Sequence, residues 1–257
     1  MPIPRLVAFD IDGTLTESKQ PVSHDMANLL SRLLDNTLVT LVTGGKLEQI
    51  TTQIVERLPK GTNMENLYAL PTSGAAMYLQ VDGGWHPIYE ELLSPDEAEH
   101  ISAVLKSAAT EAGIIDFATP SYGERIENRG SQISLSALGQ QAPIAEKEAW
   151  DPDRSKRLQL QATLTPLLPA YEVRLGGLTT FDVTKRGIDK AYGLKRLSEY
   201  LSISIREMLY VGDALFPGGN DEVVKETGIR TKKVANPKAT EDFLKILLTN
   251  GVYTVDT

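Results

Sequence analysis

The chain has 257 residues, of which 41% are hydrophobic and 23% charged, and its formal net charge is -8 at pH 7. This length suits two domains of ordinary size, the acidic balance argues against a broad nucleic-acid surface, and the lack of cysteine excludes disulfides and thiolate metal sites. No stretch approaches the ~18 apolar residues of a membrane span, and the amino terminus lacks a signal-peptide layout, so we expect a cytoplasmic protein that binds neither nucleic acid nor membrane.

The first eighty residues alternate between strand-like and helix-like patterns. Strands are predicted over residues 6–10 and 37–45, and helices over residues 23–36 and 46–58, with Ser23 as the N-cap of the first helix. This order predicts a doubly wound parallel sheet. Ligands of such sheets bind beyond the carboxyl ends of the strands.

The pattern changes from about residue 67. A hairpin signal, DGG, lies at residues 82–84, and a predicted helix over residues 94–113 opens with a capping box formed by Ser94 and Glu97. The strand-like segments of this block are 66–70, 75–81, 85–89, 132–138 and 171–183, and the stretch 151–168 is compatible with a helix. The middle block therefore predicts an α+β unit inserted into the first domain.

The alternation resumes after residue 185. Helices are predicted over 189–201, 220–228 and 239–251, and strands over 207–213 and 231–236. The predicted fold class is therefore α/β, with a doubly wound parallel-sheet core formed by residues 1–85 and 185–257. An α+β cap domain is predicted as an insertion at residues 86–184.

Two aspartates, Asp10 and Asp12, are separated by one residue directly after the first strand. At ~4 Å separation and an effective dielectric of ~20, their repulsion is roughly 4 kcal/mol. If the strand continues through both, their side chains lie on one face at its end. A hard divalent cation would offset the repulsion, and Mg²⁺ suits a few carboxylates, waters and a phosphate oxygen. The alternative is a turn in which the aspartates act as caps and Gly13 provides the bend.

Four separated segments resemble, in order, the four motifs of the haloacid dehalogenase superfamily. They are DIDGTLT at 10–16, VTGG at 42–45, Lys190 in GIDK, and VGDALFPGGND at 211–221. Their spacing is similar to that of members with a large α/β cap between the second and third motifs. The resemblance implies a Rossmann-like core and phosphoryl transfer through an aspartyl-phosphate, with Mg²⁺ as the cofactor and a small phosphorylated molecule as the substrate.

The resemblance also implies a role for each matching residue. Asp10 would be the nucleophile, and Asp12 would be the general acid and base. Catalytic positions fall on Asp10, Asp12, Thr43 and Lys190, phosphate contacts on Gly44 and Gly45, and metal ligands on Asp10, Asp12, Asp213, Asn220 and Asp221. Asn220 and Asp221 are also compatible with contacts to metal-bound water or Lys190, or with capping of the next helix.

The middle block is similar to eukaryotic-type phosphomannomutases, on RIENRGSQISLSALG at 125–139 and GGLTTFDVTKRGIDK at 176–190. In that family the cap binds the distal phosphate of the substrate through several arginines, a serine and an aspartate. Arg129, Thr180 and Asp182 match three of these positions. Arginines of the family are replaced by Gln140, Lys147 and, in an early loop, Lys19.

These replacements predict a weaker clamp for a second phosphate, because arginine offers a planar bidentate fork that glutamine lacks and lysine imitates only as a point charge. Water then competes for the aspartyl-phosphate, which favours a phosphatase of sugar phosphates or similar small monoesters. A phosphohexomutase that interconverts hexose 1- and 6-phosphates is the alternative. A non-catalytic phospho-aspartate binding module is the third. The resemblance also allows a homodimer formed through the cap.

Overall fold

The computed structural model describes residues 4–250. The chain divides into two compact units, which we call the core unit, up to Glu90 and from Asp189 onward, and the inserted unit, Glu91–Ile188. The sequence pattern predicts division after residues 85 and 184, and the folding of each unit as an independent domain stays a prediction. The first boundary lies after Glu90 because the strand that ends there pairs within the core sheet.

The strands of the described residues are β1 (Leu6–Asp10), β2 (Leu38–Val42), β3 (Leu67–Leu70), β4 (Ala76–Val81), β5 (Gly84–Glu90), β6 (Ile126–Asn128), β7 (Ile133–Ser136), β8 (Tyr171–Leu175), β9 (Thr180–Lys185), β10 (Met208–Gly212) and β11 (Arg230–Lys233). The α-helices are α1 (His24–Leu34), α2 (Leu47–Gln53), α3 (Pro95–Glu111), α4 (Ile144–Trp150), α5 (Ser155–Leu167), α6 (Lys190–Leu201) and α7 (Pro237–Asn250). Within residues 4–250, no helix has the length and apolarity needed to cross a membrane.

The core unit is built on a sheet with the strand order β11-β10-β1-β2-β3-β4-β5. The pairs from β11 to β3 are parallel, and β4 and β5 add an antiparallel edge. Successive residues of β1 are buried on opposite faces: Val7 and Phe9 in the cluster that includes α1 and α7, Leu6 and Ala8 in the cluster that includes α6. The predicted α/β fold with a parallel-dominated sheet is confirmed.

The inserted unit is an α+β sandwich of one sheet and two long helices. Its antiparallel sheet has the order β6-β7-β9-β8. One face carries Ile133, Leu135, Phe181 and Val183, which pack with α3 and α5 in a single apolar cluster. Side chains alternate across a strand, so the residues between these, such as Ser134 and Asp182, lie on the opposite face and make it polar.

Local sequence signals explain why some observed helices and strands agree with the prediction and others differ from it. Ser23 accepts a hydrogen bond from the Met26 N–H and caps α1, as predicted. The predicted helix over 46–58 breaks at Ile54 and continues as a 3₁₀ turn over 55–57, since β-branched residues are weak helix formers. The segment 171–183 forms the hairpin of β8 and β9, divided at Gly176 and Gly177.

Three further differences concern short elements. The helix predicted over 220–228 is a 3₁₀ helix, Glu222–Thr227, which ends at Gly228 in the left-handed region. Strand β6 and helix α4 were not predicted, because three and seven residues are too short to show a clear period. The predicted end of the last helix at Gly251 lies outside the described residues.

The capping box of α3 gives a stability test. The Ser94 hydroxyl accepts a bond from the Glu97 N–H at 3.2 Å, and the Glu97 carboxylate accepts one from the Ser94 N–H at 2.7 Å. Ser94→Ala should lower the free energy of unfolding by about 1 kcal/mol in urea denaturation. Ser107→Ala, at an exposed position of the same helix, should change it by less than about 0.5 kcal/mol. Equal effects of the two substitutions would contradict the capping role.

Candidate active site

The parallel strands bring distant parts of the sequence to one edge of the core sheet. Asp10 is the last residue of β1, and its register partner on β2 is Val42, so Thr43 follows at the same edge. On the other side of β1, Phe9 pairs with Val211 of β10, and Asp213 directly follows that strand. The carboxyl ends of these strands therefore carry the residues that the first, second and fourth motifs predicted.

A buried lysine joins two of the acidic residues. The Lys190 ammonium donates to Asp10 Oδ1 at 2.5 Å and to Asp221 Oδ1 at 2.7 Å. Asp10, Asp213 and Asp221 each offer a carboxylate oxygen within 4.8 Å of the others. Lys190 is 3% exposed and Asp221 is 0% exposed, so water screens their charges little.

The protonation equilibria follow from this crowding. Burial raises the pKa of Asp10 well above its ordinary value, and the charges of Asp221 and Asp213 act in the same direction, while Lys190 opposes them. Burial by itself lowers the pKa of Lys190, but the attraction of Asp10 and Asp221 outweighs it, so the net pKa of Lys190 is raised. Lys190 therefore carries its charge, and the three carboxylates still repel one another.

The start of α6 fixes the position of Lys190. Asp189 is the N-cap, and its carboxylate accepts a bond from the Tyr192 N–H at 2.9 Å. Lys190 is the first helical residue, where a cation opposes the helix dipole, and Asp10 and Asp221 supply the compensating anions. The helix lies close to the turn at Gly74, because a Cβ on Gly193 would stand 2.8 Å from the Gly74 Cα.

Asp213 is positioned by the turn that follows β1. The Thr14 hydroxyl donates to Asp213 Oδ1 at 3.3 Å and accepts from the Asp213 N–H at 3.0 Å. Gly13 has a φ of +86°, and a Cβ there would stand 2.7 Å from Asp213 Oδ2. Glycine is thus required at position 13 both for its backbone conformation and for the space that Asp213 occupies.

The Asp12 carboxylate is held apart from this acidic group. Strand β1 ends at Asp10, so the strand does not continue through both aspartates. Asp12 Oδ1 accepts from the Lys19 N–H at 2.7 Å, and Oδ2 accepts from Gln49 Nε2 at 3.1 Å. The structure therefore groups Asp10 with Asp213 and Asp221, and it places Asp12, expected as a further metal ligand, beside Gln49.

The second motif forms a tight turn after β2. Thr43 is 3% exposed, and its Oγ1 accepts from the Gly45 N–H at 3.0 Å. The Thr72 and Ser73 N–H groups donate to the carbonyl oxygens of Gly45 and Thr43, each at 2.8 Å. The turn that holds Thr43 and Gly44 is therefore braced by the loop that follows β3.

The two last residues of the fourth motif differ in surroundings. Asp221 is buried and accepts from Lys190, from the Tyr210 hydroxyl and from the Ala214 N–H, and its side chain makes no capping bond to the following 3₁₀ helix. Of the alternatives for Asp221, the structure shows the contact with Lys190. Asn220 is exposed beside it.

The polar face of the inserted unit contains three of the predicted binding residues, Arg129, Thr180 and Asp182. A cross-strand row runs through Glu127, Ser134, Asp182 and Arg174 by the registers of β6 to β9. Thr180 lies on the same face of β9, one pleat from Asp182. Lys147, on α4, donates to the Gln140 carbonyl at 3.4 Å.

Arg129 is engaged with acidic side chains on this face. Its Nε donates to Glu127 Oε2 at 2.8 Å, and its Nη1 lies 3.7 Å from Asp182 Oδ1. Its Nη2 donates to Gln140 Oε1 at 3.4 Å. Burial raises the pKa of Asp182, and the Arg129 charge opposes that shift. Arg129 is therefore paired closely with Glu127 and lies near Asp182 within the unit.

Comparison with known proteins identifies the family. A family model described as haloacid dehalogenase-like hydrolase matches residues 7–221. The chain belongs to this family. It is 30% identical to a phosphomannomutase of Spinacia oleracea over 227 residues, covering 85% of each protein, and 25% identical to a phosphomannomutase of Saccharomyces cerevisiae over 248 residues, covering 94% of this chain and 92% of that protein.

Solved structures show the same fold. A truncated Plasmodium falciparum IMP-nucleotidase aligns with a TM-score of 0.71 and 19% identity, over 97% of this chain and 71% of that one. A haloacid dehalogenase-like hydrolase of B. subtilis aligns with a TM-score of 0.63 and 16% identity, over 96% and 99% of the two chains. These structures share the fold, and the family model and the relatives show an enzyme of the haloacid dehalogenase-like family, as the sequence predicted.

The acidic group fits a hard divalent cation. Its ligand atoms are all carboxylate oxygens, which Mg²⁺ prefers. Burial is the main cause that raises the pKa of Asp10 and Asp213, and neighbouring carboxylate charges raise it further. Lys190 therefore faces an excess of negative charge from three carboxylates. A cation beside these carboxylates would remove that excess. Asp10 and Asp213 are the members best suited to hold it, because the Asp221 oxygens already accept bonds from the protein.

Three contact residues of this haloacid dehalogenase-like site were not predicted. Tyr210 lies within an apolar strand, Thr14 within a turn, and Gln49 on a polar helix face, where each residue type is ordinary. The family motifs contain a signal for Thr14 alone, as part of DIDGTLT. The contacts of Tyr210 and Gln49 depend on tertiary neighbours and leave no local pattern.

Gly13 provides a test of the metal site. Gly13→Ala should abolish the rise in melting temperature that Mg²⁺ gives the wild type, because the new Cβ displaces the Asp213 carboxylate. Gly61→Ala is the matched control: Gly61 has a φ of +85° but no atom within 4 Å of an added Cβ. Both variants carry the ~1–2 kcal/mol cost of a left-handed alanine, so only the first should lose the Mg²⁺ response. An unchanged response in Gly13→Ala would count against this site.

Proposed function

We propose that the chain is a Mg²⁺-dependent phosphatase of sugar phosphates or similar small phosphate monoesters, which acts through an aspartyl-phosphate on Asp10. The observation that carries the proposal is the buried contact of Lys190 with Asp10 beside Asp213 at the ends of β1 and β10. A carboxylate held against an ammonium and next to a cation site is placed to attack a dianionic ester, because both positive groups offset the repulsion. The phosphomannomutase relatives point to a sugar phosphate.

The proposed reaction has two displacements at phosphorus. An Asp10 carboxylate oxygen forms a bond to phosphorus while the bond to the ester oxygen breaks, and Asp12 gives its proton to the departing alkoxide. Asp12 then takes a proton from water, which attacks the same phosphorus and breaks the bond to Asp10. Inorganic phosphate leaves, and both aspartates return to their starting states. Bound Mg²⁺ would stabilise the negative charge on the phosphoryl oxygens.

Charge balance in the inserted unit supports the phosphatase. A mutase must bind the second phosphate of a sugar bisphosphate, which requires uncompensated positive charge. Arg129 is balanced by Glu127 and Asp182. Arg125 donates to the carbonyl oxygens of Ala137, Thr119 and Pro120, contacts that serve the local fold. Arg129 and Arg125 therefore offer less charge to a second phosphate than free guanidinium groups would, which is the basis for preferring the phosphatase.

A phosphohexomutase is the second candidate. The relatives named phosphomannomutase share 25–30% identity with this chain over most of its length, and Arg129, Thr180 and Asp182 occupy the positions that the family resemblance predicts. A cytoplasmic location and a homodimer through the inserted unit stay predictions from the sequence.

The two activities are separated by one assay. The enzyme is incubated with mannose 1-phosphate or glucose 1-phosphate and Mg²⁺, with and without a catalytic amount of the matching sugar bisphosphate. The phosphatase should release inorganic phosphate in both cases and form no 6-phosphate. Formation of the 6-phosphate faster than phosphate release would assign the mutase. Inactivity toward a broad panel of phosphate esters would favour the non-catalytic phospho-aspartate binding module instead.

Asp10→Asn tests the nucleophile. The amide cannot form the aspartyl-phosphate, so kcat should fall by at least about 10³-fold, while circular dichroism shows a folded protein because Lys190 keeps its contact with Asp221. Asp35→Asn, at an exposed position of the core unit, should leave kcat unchanged. In the wild type, tritiated borohydride added during turnover should reduce the acyl phosphate and label the tryptic peptide of residues 6–19. Turnover in Asp10→Asn or label in another peptide would refute the assignment.

Gln140→Arg tests the basis of the choice between phosphatase and mutase. A second guanidinium beside Arg129 restores positive charge to this face, so the ratio of 6-phosphate formed to phosphate released should rise by about tenfold. Gln141→Arg adds the same charge at the neighbouring exposed position and should leave the ratio unchanged. Identical ratios in the two variants would show that the second-phosphate contacts lie elsewhere.

A further inference from the structure

A tyrosine hydroxyl lies inside the charged cluster. Tyr210, in the middle of β10, is 0% exposed. Its hydroxyl donates to Asp221 Oδ1 at 2.6 Å and accepts from Lys190 Nζ at 3.4 Å. Burial and the charges of Asp221 and Asp10 raise the pKa of Tyr210, so the hydroxyl keeps its proton and acts as a donor to the carboxylate.

Apolar packing alone does not account for this side chain. Tyr210 is buried in the apolar cluster that includes Leu194 and Met208, and a phenylalanine would fill the same space. A buried hydroxyl is costly unless it is hydrogen-bonded. Gly212 leaves room for the arrangement, because a Cβ there would stand 2.4 Å from Asp221 Oδ2 and 2.8 Å from Tyr210 Cε1.

The Tyr210 hydroxyl affects how strongly Lys190 is held by Asp221 relative to Asp10. Asp10 and Asp221 compete for the one ammonium, at 2.5 and 2.7 Å. Tyr210 donates to Asp221 Oδ1, the same oxygen that Lys190 contacts, and the Ala214 N–H donates to Oδ2 at 3.2 Å. Both bonds stabilise the negative charge of Asp221 and so weaken its hold on Lys190. The ammonium is thereby left for Asp10 and for the phosphoryl group that Asp10 would carry.

We propose that Tyr210 is a positioning residue that acts through Asp221, and that its hydroxyl keeps the Lys190 ammonium directed at Asp10. The inference rests on the proposed function, because it assigns Lys190 to the phosphoryl-transfer step. Tyr210 itself contacts Asp221 and Lys190 and takes no part in bond making.

Tyr210→Phe is the first test. Loss of the hydroxyl should let Asp221 draw Lys190 away from Asp10, so kcat should fall by about tenfold while KM changes by less than about twofold. The matched control is Tyr68→Phe, which removes a hydroxyl from a buried tyrosine of β3 in the same sheet and should leave both constants unchanged. Wild-type kcat in Tyr210→Phe would overturn the inference, as would an equal loss of kcat in both variants.

A double-mutant cycle with Asp221→Asn separates positioning from a structural effect. If Tyr210 acts through Asp221, Tyr210→Phe should cause no further loss in the Asp221→Asn background. Losses that multiply would overturn the inference. If turnover of Asp221→Asn is too slow to measure, the cycle is run on the affinity for inorganic phosphate with Mg²⁺ by calorimetry, with the same two outcomes.

The Asp10→Asn result distinguishes failure of this inference from failure of the proposed function. Turnover retained in Asp10→Asn removes the aspartyl-phosphate chemistry and with it the role given to Lys190. Turnover lost in Asp10→Asn but unchanged in Tyr210→Phe removes only the role given to Tyr210.

Discussion

The contact between Lys190 and Asp10 is the interaction on which the rest of the site depends. Burying a carboxylate and an ammonium costs several kcal/mol for each ion, and only close pairing with further hydrogen bonds offsets that cost. The surrounding backbone is arranged around this pair. Gly13 and Gly212 leave space for the neighbouring carboxylates, and Asp189 starts the helix at Lys190 itself. The glycines and the helix start at these positions therefore make room for the charged cluster and position it.

The topology explains how residues so distant in sequence meet. Lys190 lies 180 positions after Asp10, and Asp221 a further 31. Strand β1 lies between β2 and β10, so the carboxyl ends of the three strands share one edge of the sheet. The chain leaves the core unit after β5 and returns just before α6, so the insertion interrupts none of the parallel pairs. A large inserted unit is thus compatible with an undisturbed core.

The sequence predicted the elements of the core unit better than the side-chain contacts of the site. The buried strand that ends at Asp10 and the cap at Ser23 are local patterns, and the structure has both where they were expected. The family motifs are local patterns too, and the family they indicated is confirmed. The hydrogen bonds of Asp12 could not be predicted from the sequence, because they come from the backbone N–H of Lys19 and the side-chain amide of Gln49 on α2. The role of Arg129 as a clamp for a distal phosphate stays a prediction, and its pairing with Glu127 is a tertiary contact that no motif records.

Under the proposed mechanism, water and a sugar hydroxyl would compete for the aspartyl-phosphate on Asp10. The core residues are the same for both outcomes, since each acceptor needs the same base and the same charge compensation. The outcome is therefore set by how long a phosphorylated sugar remains bound after the first transfer, which depends on contacts with its second phosphate. In the inserted unit, Glu127 and Asp182 already balance Arg129. Under the proposed function, a dianion would have to displace these carboxylates, whereas a hydroxyl can donate to them, and this difference is the argument for hydrolysis over transfer to a sugar.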